Sequence, residues 1–184
     1  MAYDPELLGG KEVRIERDLD LLDPAKALKQ INALKSDIDR AIVRGLDKAI
    51  DSIVDKLKFY MDEEGVPQLK NSIVTIPWPK GFEIQVGSDS DPTAIFVEYG
   101  TGIVGSESPH PEEPWDYDIH KHGDRGWYAP LDMLDPSIFK VVKDGKPYGR
   151  TWGMPSRPYF YKLQKWVQSY GIIARKINAE LRKL

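Results

Sequence analysis

The sequence predicts an α+β fold: a long N-terminal helix and a C-terminal helix packed on a small antiparallel β-sheet, with a long loop and a β-hairpin. Three observations predict it. Apolar residues recur at three- and four-residue steps near both ends of the chain, they alternate with polar residues in the middle, and Gly- and Pro-containing stretches separate the two patterns. With 184 residues, 41% of them hydrophobic and 30% charged, the chain has the composition of one globular domain. The expected organisation is an N-terminal arm over 1–22, loosely ordered on its own, and a single domain over 23–184.

The arm is read from its few periodic apolar positions and the Gly9, Gly10 pair, and such arms often order against neighbours. Asp23 followed by Pro24 predicts a helix start, because the carboxylate can accept from free backbone amides and proline is preset for the first turn. Ile31, Leu34, Ile38, Ala41, Ile42, Leu46, Ala49, Ile50, Ile53, Leu57 and Tyr60 then line one stripe. An unbroken helix to Met61 would be about 55 Å long and would offer part of its stripe to another subunit. The alternative is a kink near Gly45 and two shorter core helices.

After Gly65 and Pro67 the spacing changes to alternation, which predicts three strands in a meander: Ile73 to Ile76, Phe82 to Val86 and Ile95 to Tyr99. Residues 100–126, rich in Gly, Pro, His and acid, exceed an ordinary connection and predict an elaborated loop. Asp144 and Gly145 suit a tight turn between strands over 138–143 and 146–152. Ser156 and Pro158 then open a last helix carrying Leu163, Trp166, Val167, Tyr170, Ala174, Ile177 and Leu181 on one face, with Gly171 a weak point inside it.

Charge and composition exclude several classes. A formal net charge of -3 argues against nucleic acid as the main partner, and the late cluster of Lys162, Lys165, Arg175, Lys176, Arg182 and Lys183 sits where a helix needs a polar face. No apolar run approaches a membrane span, and the acidic N-terminus lacks the pattern of an export signal. A soluble protein is expected. The absence of cysteine removes disulfides and thiolate metal sites.

Candidate chemistry concentrates in the long loop. His110, His120 and His122 lie amid Glu112, Glu113, Asp116, Asp118 and Asp124, so a metal-assisted hydrolase is one alternative, although the loop lacks the helical frame of a zinc protease motif. A DNA-binding assembly factor using the basic last helix is another. No serine sits in a nucleophile elbow, and the run Glu98, Tyr99, Gly100, Thr101, Gly102 lacks the Lys and Ser or Thr of a phosphate loop. The expectation is therefore no catalytic residue, no resident metal and no cofactor. Of the five tryptophans, Trp115 and Trp127, with Tyr128, fall outside periodic core positions and are candidate interface anchors.

The run Ala94, Ile95, Phe96, Val97, Glu98, Tyr99, Gly100, Thr101, Gly102, followed by Met154, Pro155, Ser156, Arg157, Pro158, Tyr159, Phe160 and an amphipathic helix, resembles the minor tail component family of lambdoid and related siphophages. The stretch Leu69, Lys70, Asn71, Ser72, Ile73 is similar to that family's transition from its long helix to its first strand. The resemblance covers roughly Pro24 to the C-terminus; the arm and the His-rich loop are larger than in the family, so no role is carried over to them. It implies a non-enzymatic virion protein of the neck or tail, made in the host cytoplasm, that completes the tail or joins it to the head. Copies would form a ring, commonly a hexamer, between the head connector and the tail tube or tail-terminator proteins, with no membrane and no sequence-specific nucleic acid as partner. Such a ring needs two different complementary patches per subunit. In this setting Glu98 and Arg157 are expected to pair at the junction of sheet and last helix.

Overall fold

The computed structural model describes residues 23–78, 81–88, 93–112, 126–130, 140–143 and 145–184. It is α+β: a long N-terminal helix, C-terminal helices and small antiparallel sheets. Helix α1 (Pro24–Glu63) runs 40 residues, about 60 Å at 1.5 Å per residue. Its start is the expected one. Asp23 Oδ1 accepts from the backbone N–H of Ala25 at 3.1 Å and of Lys26 at 3.2 Å, satisfying two amides that no helical carbonyl can reach. At the far end Gly65 takes a positive φ, and the Val66 N–H closes the helix onto the Met61 carbonyl at 2.8 Å.

A 3-10 turn (Pro67–Ser72) leads into strand β1 (Ile73–Trp78), which pairs with β2 (Gly81–Val86) as a two-stranded sheet. The expected third strand is a helix. Residues Thr93–Tyr99 form α2, burying Ala94, Val97 and Glu98, a one-sided spacing of three and four that only a helix produces. The alternation of Ile95, Val97 and Tyr99 misled because Ile95 and Phe96 are both exposed, 51% and 41%, as neighbours on an outer helical face can be. A second short helix, α3 (Gly102–Glu107), occupies part of the expected loop; residues 113–125 of that loop lie outside the described ones.

Strands β3 (Trp127–Pro130), β4 (Lys140–Lys143) and β5 (Lys146–Thr151) make an antiparallel sheet in the order β3-β5-β4. The β4–β5 hairpin is the expected one, with Lys143 opposite Lys146 and Gly145 at a positive φ beside them. Strand β3 has no signal in the sequence, because its four residues carry too little alternation. The expected last helix is two: α4 (Tyr159–Tyr170) and α5 (Ile172–Leu181), broken where Gly171 enters the left-handed region at φ 53. A residue without a Cβ adopts that conformation at little cost, so the weak point became a break.

The chain divides into two compact units whose boundaries fall inside α1, the β1–β2 hairpin and α4. The first comprises α1 to Tyr60, residues 75–84, and the chain from Lys162 onward. Within it α1 and α5 cross closely at Gly45. A Cβ there would lie 2.5 Å from the Ile177 Cα, which explains why α1 carries a glycine and does not kink at it. Beside the crossing, buried Glu180 accepts from Lys48 Nζ at 2.7 Å and Arg44 Nε at 3.3 Å, and from Lys183. The second unit comprises residues 61–74 and 85–161 and holds the three-stranded sheet, α2 and α3.

Candidate functional site

The two sequence motifs, some sixty residues apart, meet in the second unit. Helix α2 ends at Tyr99 with backbone carbonyls that no further turn can satisfy, and α4 begins at Tyr159 with amides in the same position. Each end completes the other. The Arg157 N–H donates to the Val97 carbonyl at 3.0 Å, the Ser156 hydroxyl to the Glu98 carbonyl at 2.7 Å, and the Tyr159 hydroxyl to the Ala94 carbonyl at 3.1 Å. In return the Glu98 carboxylate accepts from the first-turn amides of Phe160 and Tyr161, both at 2.9 Å. A carboxylate at a helix N-terminus also meets the positive end of the helix dipole.

Glu98 has a third partner. His110 Nε2 lies 3.1 Å from Glu98 Oε1, and both side chains are buried, at 2% and 6% exposure. His110 Nδ1 lies 3.1 Å from the Glu112 N–H and 3.3 Å from the Glu112 carbonyl; an ionised Glu98 carboxylate can only accept, so Nε2 is the nitrogen that donates to it. The imidazole lies tilted against the Tyr99 ring, centroids 4.3 Å apart, and meets the Tyr161 ring edge-on at 5.5 Å. Burial raises the Glu98 pKa, and the hydrogen bonds from Phe160, Tyr161 and His110 pull the other way. Burial, with the Glu98 charge second, raises the Tyr159 hydroxyl well above the ordinary tyrosine range; burial likewise raises Tyr99, followed by the charges of Glu98 and Glu112.

Gly100 explains its own place in the motif. It lies at φ 82 with its N–H on the Phe96 carbonyl, and a Cβ would come within 2.7 Å of the Ser156 backbone nitrogen. Only glycine lets the chain leave α2 so close to the second motif. Thr101 and Gly102 continue that approach as antiparallel bridges to Met154 and Gly153.

Arg157 does not pair with Glu98: its Nη1 donates to the Gly65 carbonyl at 3.3 Å, while His110 and the α4 amides occupy the carboxylate. Pro158 is half-buried just before α4, and Phe160 contributes its N–H to Glu98. Trp127 is half-buried beside Gly102, whereas Tyr128 is 57% exposed on β3. His120, His122 and Trp115 lie outside the described residues. Among the described residues no group of three or more His, Asp or Glu side chains could hold a metal. The partnership of His110 with Glu98 had no signal in the sequence, because the chain between them turns out of α2 and through α3, and no residue spacing encodes that path. The Glu180 cluster had one: Arg44 and Lys48, like Glu180 and Lys183, are spaced to share a helix face.

With both carboxylate oxygens, both imidazole nitrogens and the Tyr159 hydroxyl in hydrogen bonds, the cluster joins three segments of chain and presents no exposed nucleophile or base. No protein-family model, curated protein or solved structure matches the chain.

Proposed function

We propose that the chain is a structural virion protein of a tailed bacteriophage, a subunit of a ring in the neck between head connector and tail tube that serves tail completion or head–tail joining. One observation supports an assembly role above all. Among the described residues thirteen large apolar side chains are exposed, Phe59, Trp78, Phe96, Tyr128, Trp152 and Tyr170 among them, whereas five of the thirteen buried apolar residues are alanines. Aromatic side chains are enriched at protein interfaces, where each buries a large area, so those exposed here suit contact with neighbours. Neighbours that cover this surface would supply the missing burial. The particular assembly is taken from the resemblance of the two motifs, and their mutual capping supports it by giving the motif residues a reason to occur together in one chain.

In this reading the activity is assembly, with no enzyme function and no cofactor, and the partners are further copies and the adjoining connector and tail proteins. None of the described helices is long and apolar enough to cross a membrane. The test is electron microscopy of phage particles, produced by the genome that encodes the chain, labelled with antibody against it. Label at the head–tail junction is the expected result. Particles that lack the chain altogether, or carry it elsewhere, would overturn the assignment.

A further inference from the structure

Helix α1 buries one row of residues at four-residue steps, Gly45, Ala49, Ile53, Leu57 and Met61. Two positions earlier, about 200° around the helix, a second row runs opposite to it: Val43, Asp47, Asp51, Asp55 and Phe59, every one exposed. Among the described residues Asp47, Asp51 and Asp55 make no ion pair. The nearby cations are turned elsewhere. Arg44 and Lys48 reach Glu180, and Lys56 lies over the Phe59 and Tyr60 rings, which sets Lys58 alone against three carboxylates.

The three-stranded sheet carries a row of the opposite character. Alternation along β5 sends Gly149 and Thr151 to a buried face, where Trp127, paired with Thr151, has its ring beside Gly102. Lys146, Tyr148 and Arg150 take the other face, and Trp152 continues their row with the Arg150 guanidinium 5.1 Å over its ring. Lys146 is exposed, Trp152 is 42% exposed, and Tyr128, paired with Arg150, is 57% exposed on the same face. Two cations thus stand among aromatic rings.

The geometry points to a contact between copies in which Asp47, Asp51, Asp55 and Phe59 of one subunit lie along Lys146, Tyr148, Arg150 and Trp152 of the next. Successive residues of the helical row are about 6.0 Å apart, and those of the strand row about 6.7 Å, so the mismatch over three steps is only about 2 Å. In this register Lys146 meets Asp47, the Tyr148 hydroxyl donates to Asp51, Arg150 meets Asp55, and Trp152 packs on Phe59. Both rows stay exposed with the whole chain in place, so their cover comes from another molecule, and each row supplies the charge that the other needs. The contact rests on the ring reading and deepens it, because a closed ring requires two different complementary patches on each subunit.

The chain has no cysteine of its own, so disulfides report the contact directly. Full-length chain carrying Asp51→Cys is mixed with isotope-labelled full-length chain carrying Tyr148→Cys, oxidised, and analysed by mass spectrometry. The expected result is a mixed disulfide in several-fold excess over either like-with-like dimer, falling as salt is raised. Asp47→Lys and Asp55→Lys in the first chain should reduce it to the level of the like-with-like dimers, and Lys146→Glu and Arg150→Glu in the second should then restore it. Phe59→Cys with Trp152→Cys, which leaves every charge in place, should give the same excess. Mixed disulfides no more abundant than like-with-like dimers in both pairs would overturn the proposal and leave the rows to other proteins; an excess of Tyr148→Cys dimers would overturn it by showing that sheet rows meet each other. So would a chain carrying both Asp51→Cys and Tyr148→Cys that closes its disulfide internally as a monomer. Antibody label at the neck without the mixed disulfide would sink this contact alone; the mixed disulfide with a chain absent from particles would sink the neck assignment and leave the contact standing.

Discussion

Two buried glutamates hold this molecule together by opposite means. Glu98, in the second unit, is surrounded by backbone amides, an imidazole and aromatic rings. Glu180, in the first, is surrounded by the cationic ends of Lys48, Arg44 and Lys183, whose side chains remain about half exposed. The same carboxyl group is pushed in opposite directions. Desolvation raises the Glu98 pKa, whereas hydrogen bonds from Lys183 and Lys48 lower that of Glu180 from 4.5 to about 2. A buried carboxylate held by neutral donors fixes geometry but costs desolvation, while one held by mobile cations gains charge pairing that solvent screens.

The largest expected effect comes from breaking the first arrangement. Glu98→Ala leaves the Phe160 and Tyr161 amides and the His110 ring without their acceptor, and should cost about 3 kcal/mol in urea unfolding, since each buried donor stranded in this way costs about 1–3 kcal/mol. An unchanged midpoint would mean that the two helix ends do not depend on it. Next comes the crossing beside Glu180. Gly45→Ala must push α1 from the Ile177 backbone, and overpacking of this kind costs about 2 kcal/mol. A variant as stable as the parent would show that the helices can separate freely.

The contrast in pKa gives the comparison its sharpest form. A folded pKa below the unfolded one means that Glu180 contributes stability above the ordinary glutamate value, lost as pH falls from 4.5 toward about 2. A raised folded pKa means the reverse for Glu98: its relative advantage holds below the ordinary value and is lost as pH rises through the raised one. Urea midpoints measured across acid pH should therefore lose part of their acid-side fall in Glu180→Gln, and part of their decline above pH 4.5 in Glu98→Gln. Identical pH profiles in the two variants would contradict the opposed surroundings. The smallest effect is expected of Arg157→Ala, within about 0.5 kcal/mol, because its guanidinium reaches a single exposed carbonyl. A loss comparable to that of Glu98→Ala would restore the pairing of Arg157 with Glu98 that the geometry replaces.

Local signals carried the α-helical ends of the molecule. Asp23 and Pro24, the stripe along α1, Gly145 between β4 and β5 and the start of α4 after Pro158 are each encoded within a few neighbouring residues, where capping, backbone conformation and periodic burial act without distant partners. The resemblance set Glu98 beside the second motif, with Arg157 as its expected partner, and the carboxylate instead meets His110 and the Phe160 and Tyr161 amides. What only the tertiary structure decided is how they join. Whether Thr93–Tyr99 is strand or helix, whether the last helix survives Gly171, and whether Arg157 or His110 meets Glu98 all depend on what packs against those residues. Seven residues of apolar and β-branched chain are compatible with either secondary structure, so burial of one face settles it. A carboxylate's partner is likewise chosen by which donors the fold brings within hydrogen-bond distance, and no spacing in the chain encodes that distance.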